Sequence, residues 1–187
     1  MATIYNTATS LDGFLATPDH SLQWLFDVPG ADDEEGGIGD FLDGVGALAM
    51  GSSTYEWVVE HESLLERPET WTAWYGDRPC WVFTTRDLPV VVGADIRFTR
   101  APVEQAHAEM VAAAGDRDVW LMGGGDLAGQ LADRGLLDRV TVTIAPVTLG
   151  AGAPLLPRDI RSDRLTLRSV ERRGPFAELT YDVAAPA

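Results

Sequence analysis

The sequence predicts an α/β domain built on a mostly parallel, doubly wound sheet with an antiparallel C-terminal edge. Three observations predict it. Apolar, β-branched runs alternate with helical patterns from residue 3 to residue 135. Strand patterns alone follow, from 136 to 183. No internal repeat, low-complexity tract or shift in composition divides the 187 residues, of which 45% are hydrophobic. A chain of that length and composition buries one sizeable core, so residues 1–187 read as a single domain.

TIYNTATS (3–10) is rich in β-branched residues and reads as a strand. Asp12-Gly13 marks a turn, and Phe14-Leu15-Ala16 resumes the apolar run. Residues 17–40 read as irregular, with Pro18, Pro29 and an acidic run from Asp32 to Glu35 taken as a solvated loop. A loop of that length serves as a functional lid or is mobile. GIGDFLDGV follows as a short helix and GALAMG (46–51) as a small apolar strand. SSTYEWVVE (52–60) reads as a helix capped by Ser52 or Ser53, with Glu56 three residues beyond Ser53. PCWVFTT (79–85) and DIRFT (95–99) are strands. PVEQAHAEMVAAAG (102–115) is a helix, with Pro102 at its start, Gly115 at its end and apolar residues at Val103, Ala106, Met110, Val111 and Ala114. DVWLMGGGD (118–126) is a buried strand breaking into glycines, and LAGQLADRG (127–135) a helix. Residues 136–157, 164–174 and 175–183 read as strands, the last two as a hairpin turning at Arg173-Gly174-Pro175.

Charge narrows the function classes. The chain has 29 acidic and 14 basic residues and a net charge of -15. Nucleic acid and anionic membranes both select clustered cations, so neither is expected as a partner, and the charge reads as solubility. The single cysteine, Cys80, excludes an internal disulfide framework and Cys-rich zinc sites, and reads as a core thiol. His20, His61 and His107 have no ligand spacing and read as structural or surface residues, so no metal is expected. The N-terminus lacks the pattern of a signal peptide, and no run approaches the roughly 20 apolar residues that span a bilayer. The expectation is a cytoplasmic protein.

Three strand-to-helix junctions carry the chemistry. MGGGD (122–126) offers Gly123, Gly124 and Gly125 where backbone comes close to a ligand and a helix N-terminus faces a phosphate. The alternative is a tight turn needing positive φ angles, and three glycines exceed what a turn needs. Gly123, Gly125 and Ala128 also satisfy a dinucleotide fingerprint, but no acidic residue follows about 20 positions later, so that match reads as accidental. MGSSTYE (50–56) places Gly51, Ser52, Ser53 and Thr54 at a second junction, which alone is a plain helix cap. VFTTRDLP (82–89) places Thr84, Thr85 and Arg86 at a third. Arg86 there either grips a phosphate bidentately or makes a surface salt bridge to Asp87. Together, three polar junctions in one open sheet describe a dinucleotide laid across the strand C-terminal ends.

SLDGFLA, MGSSTYE, VFTTRDLP, LMGGGDLAGQL and GLLDRVTVTIAPVTLGAGAPLL together resemble the dihydrofolate reductase superfamily. The branch they resemble is the reductase domain of the bifunctional riboflavin biosynthesis enzyme of bacteria and its stand-alone relatives. The resemblance spans nearly the whole chain and is most specific from Gly123 to Leu156. It implies a three-layer fold and an NADPH-dependent reductase, with NADH as the alternative cofactor, that transfers hydride to a small pterin-like or pyrimidine-like ring. It further implies that Gly51 to Thr54 meet the pyrophosphate and Thr85 and Arg86 the adenosine phosphate end. Gly123 to Leu127, Asp126 included, would meet the pyrophosphate and ribose, and Ala8 and Leu15 would flank the nicotinamide. Many members carry arginine directly after the glycine of the second motif; here Ser52 stands there, which leaves discrimination of the 2′-phosphate to Arg86.

Four readings complete the set. Asp12 either relays a proton and orients substrate or closes an Asp-Gly turn. Trp24 stacks on a flat ring or covers the core. Asn6 is satisfied within the core or faces substrate. A non-catalytic binding protein that retains the reductase fold is the alternative to an enzyme. The C-terminal strands alternate apolar residues at Leu165, Leu167 and Val170 and at Phe176, Leu179, Tyr181 and Val183, and an edge of that kind must be covered. A homodimer through this sheet region is expected.

Overall fold

The structure is a computed structural model and describes residues 1–31 and 37–186. The acidic run Asp32–Glu35, expected as a solvated loop, lies outside the described residues. The elements in chain order are β1 (Thr3–Ser10), β2 (Phe14–Ala16), α1 (Gln23–Phe26), α2 (Gly37–Asp43), β3 (Val45–Gly51), α3 (Ser52–His61), α4 (Glu69–Tyr75), β4 (Cys80–Phe83), β5 (Ile96–Thr99), α5 (Val103–Ala114), β6 (Asp118–Gly123), α6 (Gly125–Asp133), β7 (Arg139–Ala145), β8 (Ala153–Pro154), β9 (Leu165–Arg173) and β10 (Phe176–Val183). Eight strands form one sheet in the order β5-β4-β3-β6-β1-β7-β10-β9, while β2 and β8 pair separately. Pairing is parallel from β5 across to β7 and antiparallel for β7–β10 and β10–β9. The expected α/β class and its antiparallel C-terminal edge are both present.

Period-two alternation along β3 explains the three layers. Ala47 and Ala49 face the core under α5 and α6, with Trp81, Tyr5, Leu121, Met110 and Leu131. Leu48 and Met50 face the opposite core under α3 and α4, with Tyr55, Trp71, Val82 and Trp120. Six consecutive residues of β3, Val45 to Met50, are buried, as a central parallel strand covered on both faces requires. Small residues on one face let α5 approach closely. At Gly46 a Cβ would lie 2.5 Å from the carbonyl oxygen of Ala114, so no larger residue fits.

Local differences from the sequence reading have physical causes. The backbone of α3 is capped at Gly51, and neither Ser52 nor Ser53 makes a side-chain capping bond. Glu56, expected to reach back to that cap, binds Arg86 instead. Helix α6 begins two residues earlier than expected, at Gly125, with Gly124 as its cap. Two short helices, α1 and α4, were not legible. Burial of Trp71 anchors α4 to the core, a tertiary effect that local pattern does not carry. On the C-terminal edge, Leu167 and Val170 remain exposed, while Arg139 and Arg168 both pair with Asp182. No helix among the described residues is long and apolar enough to cross a membrane.

Gly46→Ala should lower stability by about 1–3 kcal/mol, because the added methyl overpacks the β3–α5 contact. Gly44→Ala, whose Cβ would meet nothing nearer than the Phe41 carbonyl at 3.6 Å, should stay within about 0.5 kcal/mol. Urea unfolding midpoints of the two variants check this contrast.

Candidate active site

Strands β3, β6 and β1 lie side by side, so their C-terminal ends open on one edge of the sheet. The β6–α6 junction there presses against the β3–α3 junction. A Cβ at Gly123 would lie 2.8 Å from Thr54 Oγ1, and one at Gly125 would collide with the backbone carbonyls of Pro154 and Leu155. Gly124 differs from both, because a Cβ there would meet nothing within 4 Å. None of the three has a positive φ. The glycine run therefore serves close packing at its two ends and open space at its middle, rather than turn conformation.

That open space belongs to a cavity of about 340 Å³. Thr7 and Ala8 of β1 and Leu15 and Ala16 of β2 line one part, and Ser53, Thr54 and Trp57 of α3 another. Met122 to Asp126 enter from the β6–α6 junction, and Pro154 and Pro157 close the far side. Leu22, Leu25 and His20 come from the segment expected to be irregular. Ala8, Leu15, Ser53, Thr54, Gly123, Gly124, Gly125 and Asp126 thus meet in one cavity. Gly51 and Ser52 lie just behind that lining, with the Gly51 Cβ position 3.9 Å from the Gly124 nitrogen.

The remaining sequence candidates lie elsewhere. Leu127 is buried in the core beneath α6. Asn6 lines a separate polar concavity with Thr141, Thr143 and Thr180, and its backbone carbonyl accepts a 2.9 Å bond from Trp120 Nε1. Trp24 packs against Val28, Ala145 and Phe176, so it covers a satellite core instead of stacking in the cavity. Its buried Nε1 has no hydrogen-bond partner among the described residues.

Asp12 is held by its loops. Its carboxylate accepts from Ser10 Oγ at 2.6 Å, from the Leu149 nitrogen at 3.0 Å and from the Gly150 nitrogen at 2.7 Å. The Ser10 hydroxyl, then these two backbone donors, pull its pKa down to about 2. A group held so firmly ionised is a clamp between the 10–14 turn and the 149–150 loop; it does not line the cavity. Asp126 is likewise engaged, by Gln130 at 2.8 Å and Arg158 at 2.9 Å, which lower its pKa in that order.

Arg86 pairs bidentately with Glu56, at 2.8 and 2.5 Å, and not with Asp87. Asp87 lies 3.6 Å from Arg100 instead. Thr84 Oγ1 accepts the Arg86 backbone N–H at 3.0 Å, and both residues line a cleft of about 170 Å³ with Phe98, Thr99 and Arg100. Thr85 is exposed beside it. This cleft sits at the ends of β4 and β5, beyond the main cavity along the same sheet edge.

Sequence reasoning missed His20. Its φ of 64° is unusual for a residue with a side chain. The turn that imposes it is tied by Thr17, whose Oγ1 accepts the Ser21 N–H at 3.0 Å and donates to Asp19 at 2.5 Å. The result turns an exposed imidazole to the cavity, and no hydrogen bond engages its ring among the described residues. Thr17 and Asp19 flanking Pro18 were the available signal for such a turn. His61 stacks on Trp57 at 4.4 Å and on Phe26 at 4.9 Å, joining α1 to α3. His107 Nε2 lies 2.8 Å from Thr3 Oγ1, and Cys80 is buried with its thiol pKa pushed up by desolvation; both are structural, as expected. No cluster of three metal-binding side chains occurs among the described residues.

Comparison with known proteins matches this architecture. Residues 58–177 match the RibD C-terminal domain. The chain is 29% identical over 179 residues to the uncharacterized protein YwjB of Bacillus subtilis (strain 168), covering 96% of each chain. It is 25% identical over 174 residues to the uncharacterized protein YyaP of the same strain, covering 91% of this chain and 87% of the relative. A solved structure of a candidate riboflavin biosynthesis protein from Shewanella sp. PV-4 superposes with a TM-score of 0.77 at 24% identity, covering 98% of this chain and 99% of that one. A diaminohydroxyphosphoribosylaminopyrimidine deaminase/5-amino-6-(5-phosphoribosylamino)uracil reductase from Thermotoga maritima gives 0.69 at 14% identity. That match covers 98% of this chain and 56% of the Thermotoga chain.

The Asp12 clamp has a pH signature. Its folded pKa of about 2 lies below the ordinary value of about 3.9. Its contribution to stability is therefore whole above pH ~4 and is lost as pH falls toward 2. Asp12→Asn should be less stable than the wild type at pH 7, with the two stability curves converging between pH ~4 and 2. Thermal unfolding across that range measures it.

Proposed function

The chain belongs to the RibD C-terminal domain family, and from that premise we propose that it is an NADPH-dependent reductase of a small pterin-like or pyrimidine-like heterocycle. The observation that carries the reading is the convergence of two strand-to-helix junctions on one cavity, with Gly124 leaving open the space a side chain would fill. The residues present fit a nicotinamide dinucleotide. Backbone N–H groups at the start of α6 and the Ser53 and Thr54 hydroxyls would hold its pyrophosphate. Ala8 and Leu15 would pack on the nicotinamide, and the Arg86 cleft would take the adenosine end. When bound, that cofactor supplies a hydride.

The protein's own contribution is positioning and a proton. Leu15, Leu22, Leu25 and Trp57 give a flat ring an apolar surface to pack on. Asp12, tied to Ser10, Leu149 and Gly150, fixes the turn that leads into Leu15. His20 is the lining group free to hold a proton on its imidazole for the substrate. Glu56 holds the Arg86 fork at the mouth of its cleft, so a 2′-phosphate would be gripped as the guanidinium turns from the Glu56 carboxylate to it. The exposed Leu167 and Val170 on β9 support pairing of two chains through the C-terminal strands.

The second reading, a binding protein without hydride transfer, separates from the first by experiment. Titration with NADPH should change the fluorescence of the six tryptophans, and NADPH oxidation in the presence of a heterocycle should follow. Binding without oxidation supports the second reading. Gly124→Val should reduce NADPH affinity at least tenfold while circular dichroism stays that of the wild type. Unchanged affinity in the folded variant would remove the central claim. Arg86→Ala should weaken NADPH by about 1.5–3 kcal/mol and spare NADH, the range for a charge-assisted hydrogen bond; equal loss for both cofactors places Arg86 elsewhere. Light scattering at micromolar concentration tests the dimer, which a strictly monomeric mass would refute.

A further inference from the structure

The distribution of positive charge restricts what the cavity accepts. All 14 basic residues of the chain are arginines, and the first is Arg67. Every wall drawn from residues 1–66 is consequently without a fixed cation. Those walls include Leu15, Leu22, Leu25 and Trp57. Residues 32–36 add four carboxylates and no cation to the same stretch of sequence.

The later part of the chain supplies little more. Arg158 follows the lining residue Pro157. Each of its three nitrogens already donates: Nε to Asp133 at 2.9 Å, Nη2 to Asp126 at 2.9 Å and Nη1 to the Pro157 carbonyl at 2.8 Å. Two carboxylates neutralise that guanidinium, so among the described lining residues the charged groups are Asp126 and, when protonated, His20. A phosphate brought here would lose water without gaining a fixed counter-ion, which is costly. The donors that do exist, at the start of α6 and on Ser53 and Thr54, form one set and serve one pyrophosphate.

Resting on the reductase reading, we infer that the substrate of this cavity is a small uncharged heterocycle without a phosphate group. The Thermotoga maritima structure bears the name of a reductase whose substrate carries a phosphoribosyl group. This chain shares its fold and has not furnished its cavity for that group. The volume of about 340 Å³ lies near the lower end of ligand pockets and, shared with the nicotinamide, leaves room for a compact ring only. Leu22, Leu25, Trp57 and Met122 give that ring an apolar bed.

Isothermal titration calorimetry on the full chain at pH 7 tests the inference with three titrants. NADPH reports the cofactor reading by itself. Lumazine serves as the uncharged bicyclic probe, and 5-amino-6-(5-phosphoribosylamino)uracil as the phosphorylated one, each titrated with and without NADPH. Lumazine should bind at least tenfold more tightly than the phosphorylated pyrimidine. Leu22→Arg, which sets a cation on a half-buried wall, should narrow that gap at least tenfold. A wild-type chain that binds the phosphorylated pyrimidine as tightly as lumazine, or that fails to bind lumazine, overturns the inference. Loss of the NADPH signal with the lumazine preference intact removes the reductase reading and leaves the substrate inference standing. NADPH binding with the preference reversed does the opposite.

Discussion

The close approach of Gly123 to Thr54 is the contact on which the site depends. Two helices begin at neighbouring strand ends, and their first turns can share one cavity only if the chain between β6 and α6 carries no side chain. Gly123 yields to Thr54, and Gly125 yields to the carbonyls at Pro154 and Leu155. The 154–155 segment is itself held by β8 pairing with β2. Any side chain at either glycine would push apart three segments that together define the cavity. Gly124 is the residue left over from that packing, and it faces open space.

Much of this was legible in residue pattern, and the failures share a cause. β1, β6 and α5 announce themselves because each carries its own period: β-branched residues in β1, an apolar run in β6, and apolar positions at Val103, Ala106 and Met110 in α5. The glycine junction was visible for the same reason. What stayed hidden is whatever a partner far along the chain decides. Glu56 satisfied a local capping pattern, yet Arg86, 30 residues on, offered a bidentate partner and took it. Asp12 fitted a reacting carboxylate until Leu149 and Gly150 arrived to bind it. Helix α4 owes its anchorage to Trp71, which local sequence does not rank. His20 is the converse: an unremarkable residue by pattern, placed by a backbone conformation.

The acidic character of the whole and the apolar character of the cavity are separate properties. Most carboxylates lie on the surface, where several pair with arginine in solvent-screened contacts of small energetic value. Inside, specificity has to come from shape, apolar area and a few backbone donors. The stack of Phe26, His61 and Trp57 matters in this respect. It joins α1, which carries Leu25, to α3, which carries Thr54, and so ties two walls of the cavity to each other.

The position of β1 has a consequence for how the chain comes into being. The strand lies between β6 and β7 in the sheet, pairing Tyr5 with Leu121 on one side and with Val140 on the other. Both neighbours are encoded more than a hundred residues downstream. At a synthesis rate of roughly 5–20 residues per second, several seconds separate β1 from either neighbour. Both edges of β1 can meet these partners only after that interval. The cavity wall at Thr7 and Ala8 therefore gains its pairing to β7 only when translation has passed that strand, and β8, β9 and β10 follow it.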